Sequence, residues 1–465
     1  MRPAALVATS ILAVAAVLAR AGDTTYEPDW ASLDARPVPA WFDEAKFGIF
    51  IHWGVYSVPA WGPKGSYAEW YWDALQNRGG QTWAFHVRNY GERFQYQDFA
   101  AQFKAELFDP VQWADLFARS GARYVVLTSK HHEGFCLWPS AQSRNWNSVD
   151  LGPHRDLCGD LAKAVRARGL KMGFYYSLYE WFHPLYRSDF PRFVRDHFQP
   201  QFKDLVMRYK PSLIFADGEW DHTSAEWETP GLLAWLFNQS PCRQEVVIND
   251  RWGKETRSRH GGYFTTEYGE VGGGKQLTAG RKWEENRAMG ASFGFNRNEA
   301  LDDYRTSHSL ICLLVDAVSK GGNLCLDVGP TADGRIPLLM QQRLADMGDW
   351  LRINGEAIYG TRPWKTHGEG PTPSLTDPAA GRNQVLKPGE VRFTSKGDAL
   401  YAICPELPKH PLRIKSLARE KIASVALLGG SGKADWSQTG DGLLIQPAAN
   451  WPCDHAAAFK VLLAK

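Results

Sequence analysis

Leu213-Ile214-Phe215-Ala216-Asp217-Gly218-Glu219-Trp220 sets an apolar run against two carboxylates split by a glycine, with a tryptophan beside them. A run this short and unbroken has the composition of a parallel strand covered on both faces. Gly218 stops it, so Asp217 falls at the strand's carboxyl end, where α/β folds gather their reactive groups. A carboxylate there, walled by aromatic side chains, is a candidate nucleophile or general base. The competing structural reading is an aspartate that caps the following helix.

Seven further runs of the same kind flank this one: Phe47–His52, Tyr124–Thr128, Met172–Ser177, Val246–Asn249, Phe264–Glu267, Ser292–Phe295 and Leu324–Val328. Amphipathic helical patterns lie between several of them, at Pro110–Arg119, Asp156–Arg168, Phe190–Tyr209 and Asp302–Ser319, and Leu338–Ile353 adds a last one. Strands alternating with helices predict a parallel sheet, and eight strands predict a (β/α)8-like TIM barrel over residues 22–360. The texture changes near Gly360, where Gly, Pro and Thr cluster. Short alternating segments follow at Glu390–Phe393, Ala399–Ile403, Ile422–Leu428, Leu443–Gln446 and Ala458–Leu463. They predict a small antiparallel β-sandwich over residues 361–465, without reactive groups of its own.

Polar residues fall at the ends of the predicted strands. The first run ends in His52-Trp53-Gly54 and the second leads into Lys130-His131-His132-Glu133. Tyr175-Tyr176 lie on the third, Asp217 closes the fourth, Asn249-Asp250-Arg251-Trp252 follow the fifth, and Glu267 closes the sixth. In a barrel these groups converge on one mouth. The pair His131-His132 admits three readings: metal ligands, structural histidines, or donors to the hydroxyls of a neutral polyol. Neighbours on a strand face opposite sides and helical metal-ligand spacing is absent, which disfavours the metal. Gly269–Gln276 nearly matches a phosphate-binding loop, but Gln276 stands where Ser or Thr should hold magnesium, so a loop at the mouth is the better account.

The 465 residues carry 53 basic and 51 acidic side chains, and the net charge of +2 gives nucleic acid no purchase. Twenty Trp, 17 Tyr and 23 Phe supply flat apolar faces with polar edges, suited to a ring-shaped, hydroxylated ligand. Arg2 and the apolar run Ala4–Ala19, with Ala19-Arg20-Ala21 as a cleavage site, read as a signal peptide over residues 1–21. A secreted or periplasmic protein is expected, lysosomal in a eukaryote, without stable membrane insertion. The seven cysteines form no CxxC pair, and the odd count leaves at least one thiol unpaired within the chain. Asn238-Gln239-Ser240 is a glycosylation sequon weakened by Pro241.

Together Phe47–Gly54, Tyr67–Tyr71, Lys130–Phe135, Leu213–Trp220, Asn249–Trp252, Asn296–Asn298 and Gly321–Leu324 resemble the α-L-fucosidases of glycoside hydrolase family 29. The similarity runs from about Trp41 to Trp364, and Asn147–Arg155 and Glu180–Tyr186 resemble the lysosomal, animal-type branch. The resemblance implies a retaining exo-glycosidase acting on terminal α-L-fucose of glycoproteins, glycolipids and oligosaccharides, with no cofactor or metal and a possible homo-oligomer. It implies that Asp217 is the nucleophile and that His52, Glu69, Trp70, His131, His132, Tyr175 and Arg251 grip the sugar hydroxyls. Glu267 fits the position of the acid/base best, with Glu284 its rival and Glu270 a third candidate.

Two residues depart from the family pattern. Phe215 stands where relatives often have tryptophan and Tyr176 replaces a histidine, and both could reshape the pocket. The methyl of fucose needs an apolar contact, for which Phe215 and Phe293 or Phe295 are the candidates. A fucose-binding, lectin-like protein on an inactive barrel and another exo-glycosidase, such as a galactosidase, remain the alternative functions.

Overall fold

The computed structural model describes residues 24–267, 281–372, 375, 384–430 and 434–464. Its main sheet is parallel throughout and has eight strands: β1 (Phe47–Ile51), β2 (Tyr124–Lys130), β3 (Lys171–Ser177), β4 (Leu213–Asp217), β5 (Val247–Ile248), β6 (Phe264–Glu267), β7 (Trp283–Ala288) and β8 (Asn323–Val328). The order β5-β4-β3-β2-β1-β8-β7-β6 curls the sheet almost into a ring. Among the described residues no ladder joins β5 to β6. Across that seam the Tyr263 N–H donates to the Ile248 carbonyl over 3.2 Å, and the Thr265 N–H donates to Asp250 Oδ1 over 3.1 Å.

Helices cover the outside where amphipathic patterns placed them, at Pro110–Arg119, Leu157–Ala167, Gln199–Tyr209, Ser307–Ser319 and Leu338–Asn354. Their starts are set locally. Asp109 accepts from the Val111 and Gln112 N–H groups, and Asp156 accepts from Gly159 N–H, which satisfies donors that a first helical turn leaves free. Inside the ring, Phe50, Val126, Tyr175, Leu213 and Phe215 fill the centre. Phe42, on the short helix Ala40–Ala45, closes the amino-terminal end against Tyr124 and Tyr263, at ring distances of 5.7 and 4.6 Å. The interior is packed, so a ligand can approach only from the carboxyl-terminal mouth.

The seventh strand corrects the reading of the sequence. Ser292–Phe295 is not a strand; Trp283–Ala288 is, although five of its six side chains carry polar groups. Each charge on it finds a partner inside the fold: Tyr124 donates to Glu284, and Thr266 and Arg287 donate to Glu285. Pairing in three dimensions replaces the apolar composition that marks the other strands. Ser292–Phe295 instead forms a loop over the mouth.

Beyond the barrel lie a five-stranded sheet, ordered β13-β16-β11-β10-β9, and a three-stranded sheet, ordered β12-β15-β14. Their strands are β9 (Arg362–Glu369), β10 (Val391–Lys396), β11 (Ala399–Cys404), β12 (Leu412–Ile414), β13 (Ile422–Leu427), β14 (Trp436–Thr439), β15 (Gly442–Ile445) and β16 (Ala457–Leu463). All their described pairings are antiparallel. A buried ion pair ties them to the barrel: Arg392 on β10 donates from Nε to Asp316 Oδ1 on the helix Ser307–Ser319 over 2.7 Å. The predicted leader, Glu270 and the glycine-rich Gly269–Gln276 lie outside the described residues. None of the seven cysteines forms a disulfide. At the sequon, Asn238 Nδ2 donates to Tyr26 O and Asn238 Oδ1 accepts from Tyr26 N–H, so the amide that a glycan would modify is engaged with backbone. Among the described residues no helix is long and apolar enough to cross a membrane.

Candidate active site

Asp217 ends β4 pointing into the mouth, and the chain turns away at once. Gly218 takes φ +76°, and a Cβ there would lie 2.6 Å from Tyr179 Cβ, so glycine alone fits this turn. The Asp217 carboxylate is enclosed by donors. Arg251 Nη1 donates to Oδ1 over 2.8 Å, the Tyr175 hydroxyl donates to Oδ2 over 3.0 Å, and Arg257 Nη2 stands 3.5 Å from Oδ1. Burial alone would push this carboxyl up; the Arg251 guanidinium, with Arg257 beyond it, outweighs burial and holds Asp217 well below the ordinary carboxylate range. It is therefore ionised at neutral pH.

Arg251 owes its position to the seam. Asp250 accepts from the Ser258 N–H and from both the N–H and the hydroxyl of Thr265. The Thr265 oxygen, its proton committed to Asp250, accepts from Arg251 Nε over 3.0 Å. The guanidinium is thus fixed with Nη1 on Asp217 and Nη2 on Glu267, and it lies over the Phe215 ring at 4.9 Å. One planar cation holds both carboxylates as near neighbours. Glu267 keeps 31 % of its side chain exposed, at the pocket's edge.

Each of the two histidines is oriented by a buried partner. His52 Nδ1 lies 2.7 Å from Asp327 Oδ1. Burial pushes His52 well below and Asp327 well above their ordinary ranges. For His132 the hydrogen bonds fix the proton. Ser177 donates its only proton to Tyr179 O over 2.8 Å, so it must accept from His132 Nδ1–H at 2.7 Å. Burial keeps His132 neutral, which leaves Nε2 as a bare acceptor 3.9 Å from Asp217 Oδ2. His131 stacks parallel to Tyr175, with Nδ1 3.6 Å from Glu133 Oε2. Glu69 accepts from the Gly294 N–H and the Ser292 hydroxyl on one oxygen, and burial pushes its carboxyl up.

These side chains line a cavity of about 210 Å³ that holds His52, Glu69, Trp70, His131, His132, Tyr175, Phe215, Asp217, Arg251 and Glu267 together. Phe50, Phe293, Tyr67, Trp220 and Arg257 complete the wall. Two of the sequence candidates lie elsewhere. Glu284 is on the second residue of β7, paired in register with Thr265 and bonded to Tyr124 at the start of β2, so it sits at the barrel's opposite end. Phe295 does not reach the cavity; Phe293 does, tilted against the His52 ring at 4.9 Å. Tyr176 faces outward, where its hydroxyl donates to Gln201 Oε1 over 2.8 Å, so its departure from the family pattern does not touch the pocket.

The family model described as alpha-L-fucosidase matches residues 13–356. The chain belongs to the α-L-fucosidase family. It is 45% identical over 450 residues to the human tissue alpha-L-fucosidase, covering 94% of this chain and 91% of that one. It is 46% identical over 351 residues to an alpha-L-fucosidase of Dictyostelium discoideum, covering 73% and 75% of the two chains. Among solved structures, the Thermotoga maritima alpha-fucosidase superposes with a TM-score of 0.78 at 37% identity, over 94% of this chain and 100% of that one. The family's architecture, a TIM-barrel-like domain followed by antiparallel sheets, is the one described above.

Reading the sequence missed Arg257, Asp327 and Ser177 as members of the site. Asp327 carried a signal: an acidic residue within Leu324-Cys325-Leu326-Asp327-Val328 must find a buried partner. Arg257 and Ser177 carried none, since loop geometry and a shared proton decide their roles.

Proposed function

We propose that this protein is a retaining exo-glycosidase that removes terminal α-linked L-fucose from glycans, with Asp217 as nucleophile and Glu267 as acid/base. The observation that carries this reading is the shared Arg251 guanidinium, which sets an ionised Asp217 and a rim-exposed Glu267 side by side. Retaining enzymes need carboxyl groups about 5–5.5 Å apart, whereas inverting ones leave room for a water between them. Asp217 attacks the anomeric carbon while the glycosidic C–O bond breaks and Glu267 gives its proton to the leaving oxygen. Water then attacks the glycosyl ester, Glu267 takes back a proton, and Asp217 is released.

The cavity, smaller than the roughly 300–1,000 Å³ that drug-sized ligands occupy, suits a single sugar. His52, held against Asp327, and His132, whose Nε2 is an acceptor, line the wall together and offer polar partners to the hydroxyls of one ring. Phe215 and Phe293 supply the apolar surface that a methyl requires. The predicted leader supports delivery to a secretory compartment, lysosomal in a eukaryote. Nitrophenyl glycosides of several sugars test the reading: the α-L-fucoside should be cleaved fastest, and proton NMR should show α-L-fucose as the first-formed product. Preference for a galactoside, or sugar binding without turnover, would replace it by the corresponding alternative; a β first product would make the enzyme inverting.

A further inference from the structure

A second cavity, of about 220 Å³, opens beside the mouth and takes no part in the chemistry above. Its lining includes Trp72, Trp83, Phe182, Arg78, Gln95 and Gln97. Half-buried aromatic rings beside amide and guanidinium groups are the chemistry that holds sugars, apolar faces against rings and hydroxyls against donors. Arg78 spreads over the Trp83 ring at 4.2 Å, which presents its guanidinium edge outward as a donor.

An aromatic row joins this cavity to the first. Trp70, in the wall of the fucose pocket, meets Trp181 at 5.5 Å; Trp181 meets Trp72 at 5.1 Å; and Trp72 meets Phe182 at 4.9 Å. The row is anchored from below. Trp181 N–H donates to His132 O over 2.8 Å, and the adjacent Glu180 is fixed by Lys130 and by His197 Nε2 at 2.8 Å. A leaving group that departs from the first cavity past Trp70 is led along these rings to the second.

We infer that the Trp72–Trp83–Phe182 cavity is a distal saccharide site that binds the leaving portion of an extended fucosylated oligosaccharide. The inference rests on the fucosidase reading for its substrate but not for its test. Trp83→Ala and Gln97→Ala alter the cavity without touching the catalytic pocket, and Gln97 is exposed enough that its loss should not disturb folding. Three substrates separate the sites: an aryl α-L-fucoside, a fucosylated disaccharide whose leaving sugar stops at the rim, and a fucosylated chain several sugars long. Both variants should keep kcat/KM on the first two and lose about 2–10-fold on the third, through KM, as expected for one lost ring or polar contact. Equal losses on all three, or none on the long chain, overturn the inference. Calorimetric binding of the defucosylated chain, which needs no turnover, should weaken in both variants. Unchanged binding there overturns the distal site, whereas failure of the unaltered protein to cleave the aryl fucoside overturns only the catalytic reading.

Discussion

Arg251 Nη1 donates to Asp217 Oδ1 over 2.8 Å, and the same guanidinium reaches Glu267 through Nη2. The clamp keeps Asp217 charged and aimed at the mouth before any substrate arrives, so that little reorganisation remains for the reaction itself.

If Asp217 forms the glycosyl bond, Asp217→Gly should nearly abolish turnover of an aryl fucoside. Azide, filling the space of the missing carboxylate, should restore part of it and give a fucosyl azide of β configuration. Steady-state rates with and without azide, and NMR of the product, check this. A variant that retains a sizeable fraction of the wild-type rate removes Asp217 from the role.

Glu267 and Glu284 separate by leaving group. An aryl fucoside with a good leaving group barely needs protonation, whereas a sugar leaving group needs it badly. Glu267→Ala should therefore lose about 10²–10⁴-fold on natural oligosaccharides and far less on the first step with the aryl substrate. Glu284→Gln, at the far end of the barrel, should leave both substrates close to wild type. Exchanged profiles would give the acid role to Glu284.

The two glutamates, one at the mouth and one at the far end, show where the sequence could be read and where it could not. Strands β1 to β4 and β8 announce themselves because both faces are buried in apolar neighbours, and His52, His131 and Asp217 follow from their ends. In β7 the same burial is achieved with Glu284, Glu285 and Arg287, whose partners sit on other strands and leave no mark in the local pattern. Misplacing β7 by nine residues turned Ser292–Phe295 into a strand, and with it placed Phe295 at the mouth. In the loop that actually forms, Ser292 and Gly294 bind Glu69 and Phe293 turns into the cavity. Glu69 itself was visible only through resemblance, since nothing near it in the chain foretells a partner more than two hundred residues away.

Glu284 should act on stability instead. Burial raises its carboxyl from 4.5 to about 7. The folded protein therefore holds a proton that the unfolded chain gives up. This contribution is fully present below pH 4.5, declines as the pH rises, and is gone above about 7. The shift corresponds to about 3 kcal/mol. Glu284→Gln, which keeps the shape without the titration, should be more stable than wild type at pH 8 and comparable at pH 4. Thermal unfolding of both proteins across that range measures the difference. Parallel curves would show that Glu284 does not titrate between the two states.

The methyl of fucose gives the last test. L-galactose presents the same ring hydroxyls but carries a hydroxymethyl in place of the methyl, so His52 and His132 cannot tell the two sugars apart. Discrimination falls to apolar surface, and in the cavity that surface includes Phe293, tilted against His52 at 4.9 Å, and Phe215, flanked by Tyr175 at 5.9 Å. Contact with one methyl is worth about 1–3 kcal/mol and rejects an added hydroxyl weakly, so L-galactosides should be cleaved with kcat/KM about 10–200-fold lower. Phe293→Ala should shrink that ratio by lowering the rate on fucose more than on L-galactose. Phe295→Ala, outside the cavity, should leave the ratio unchanged. Kinetics of both aryl glycosides on the three proteins decide the point: a ratio that moves with Phe295 and not with Phe293 would mean that the methyl points away from His52, and a ratio of one in wild type would mean that no apolar methyl pocket exists.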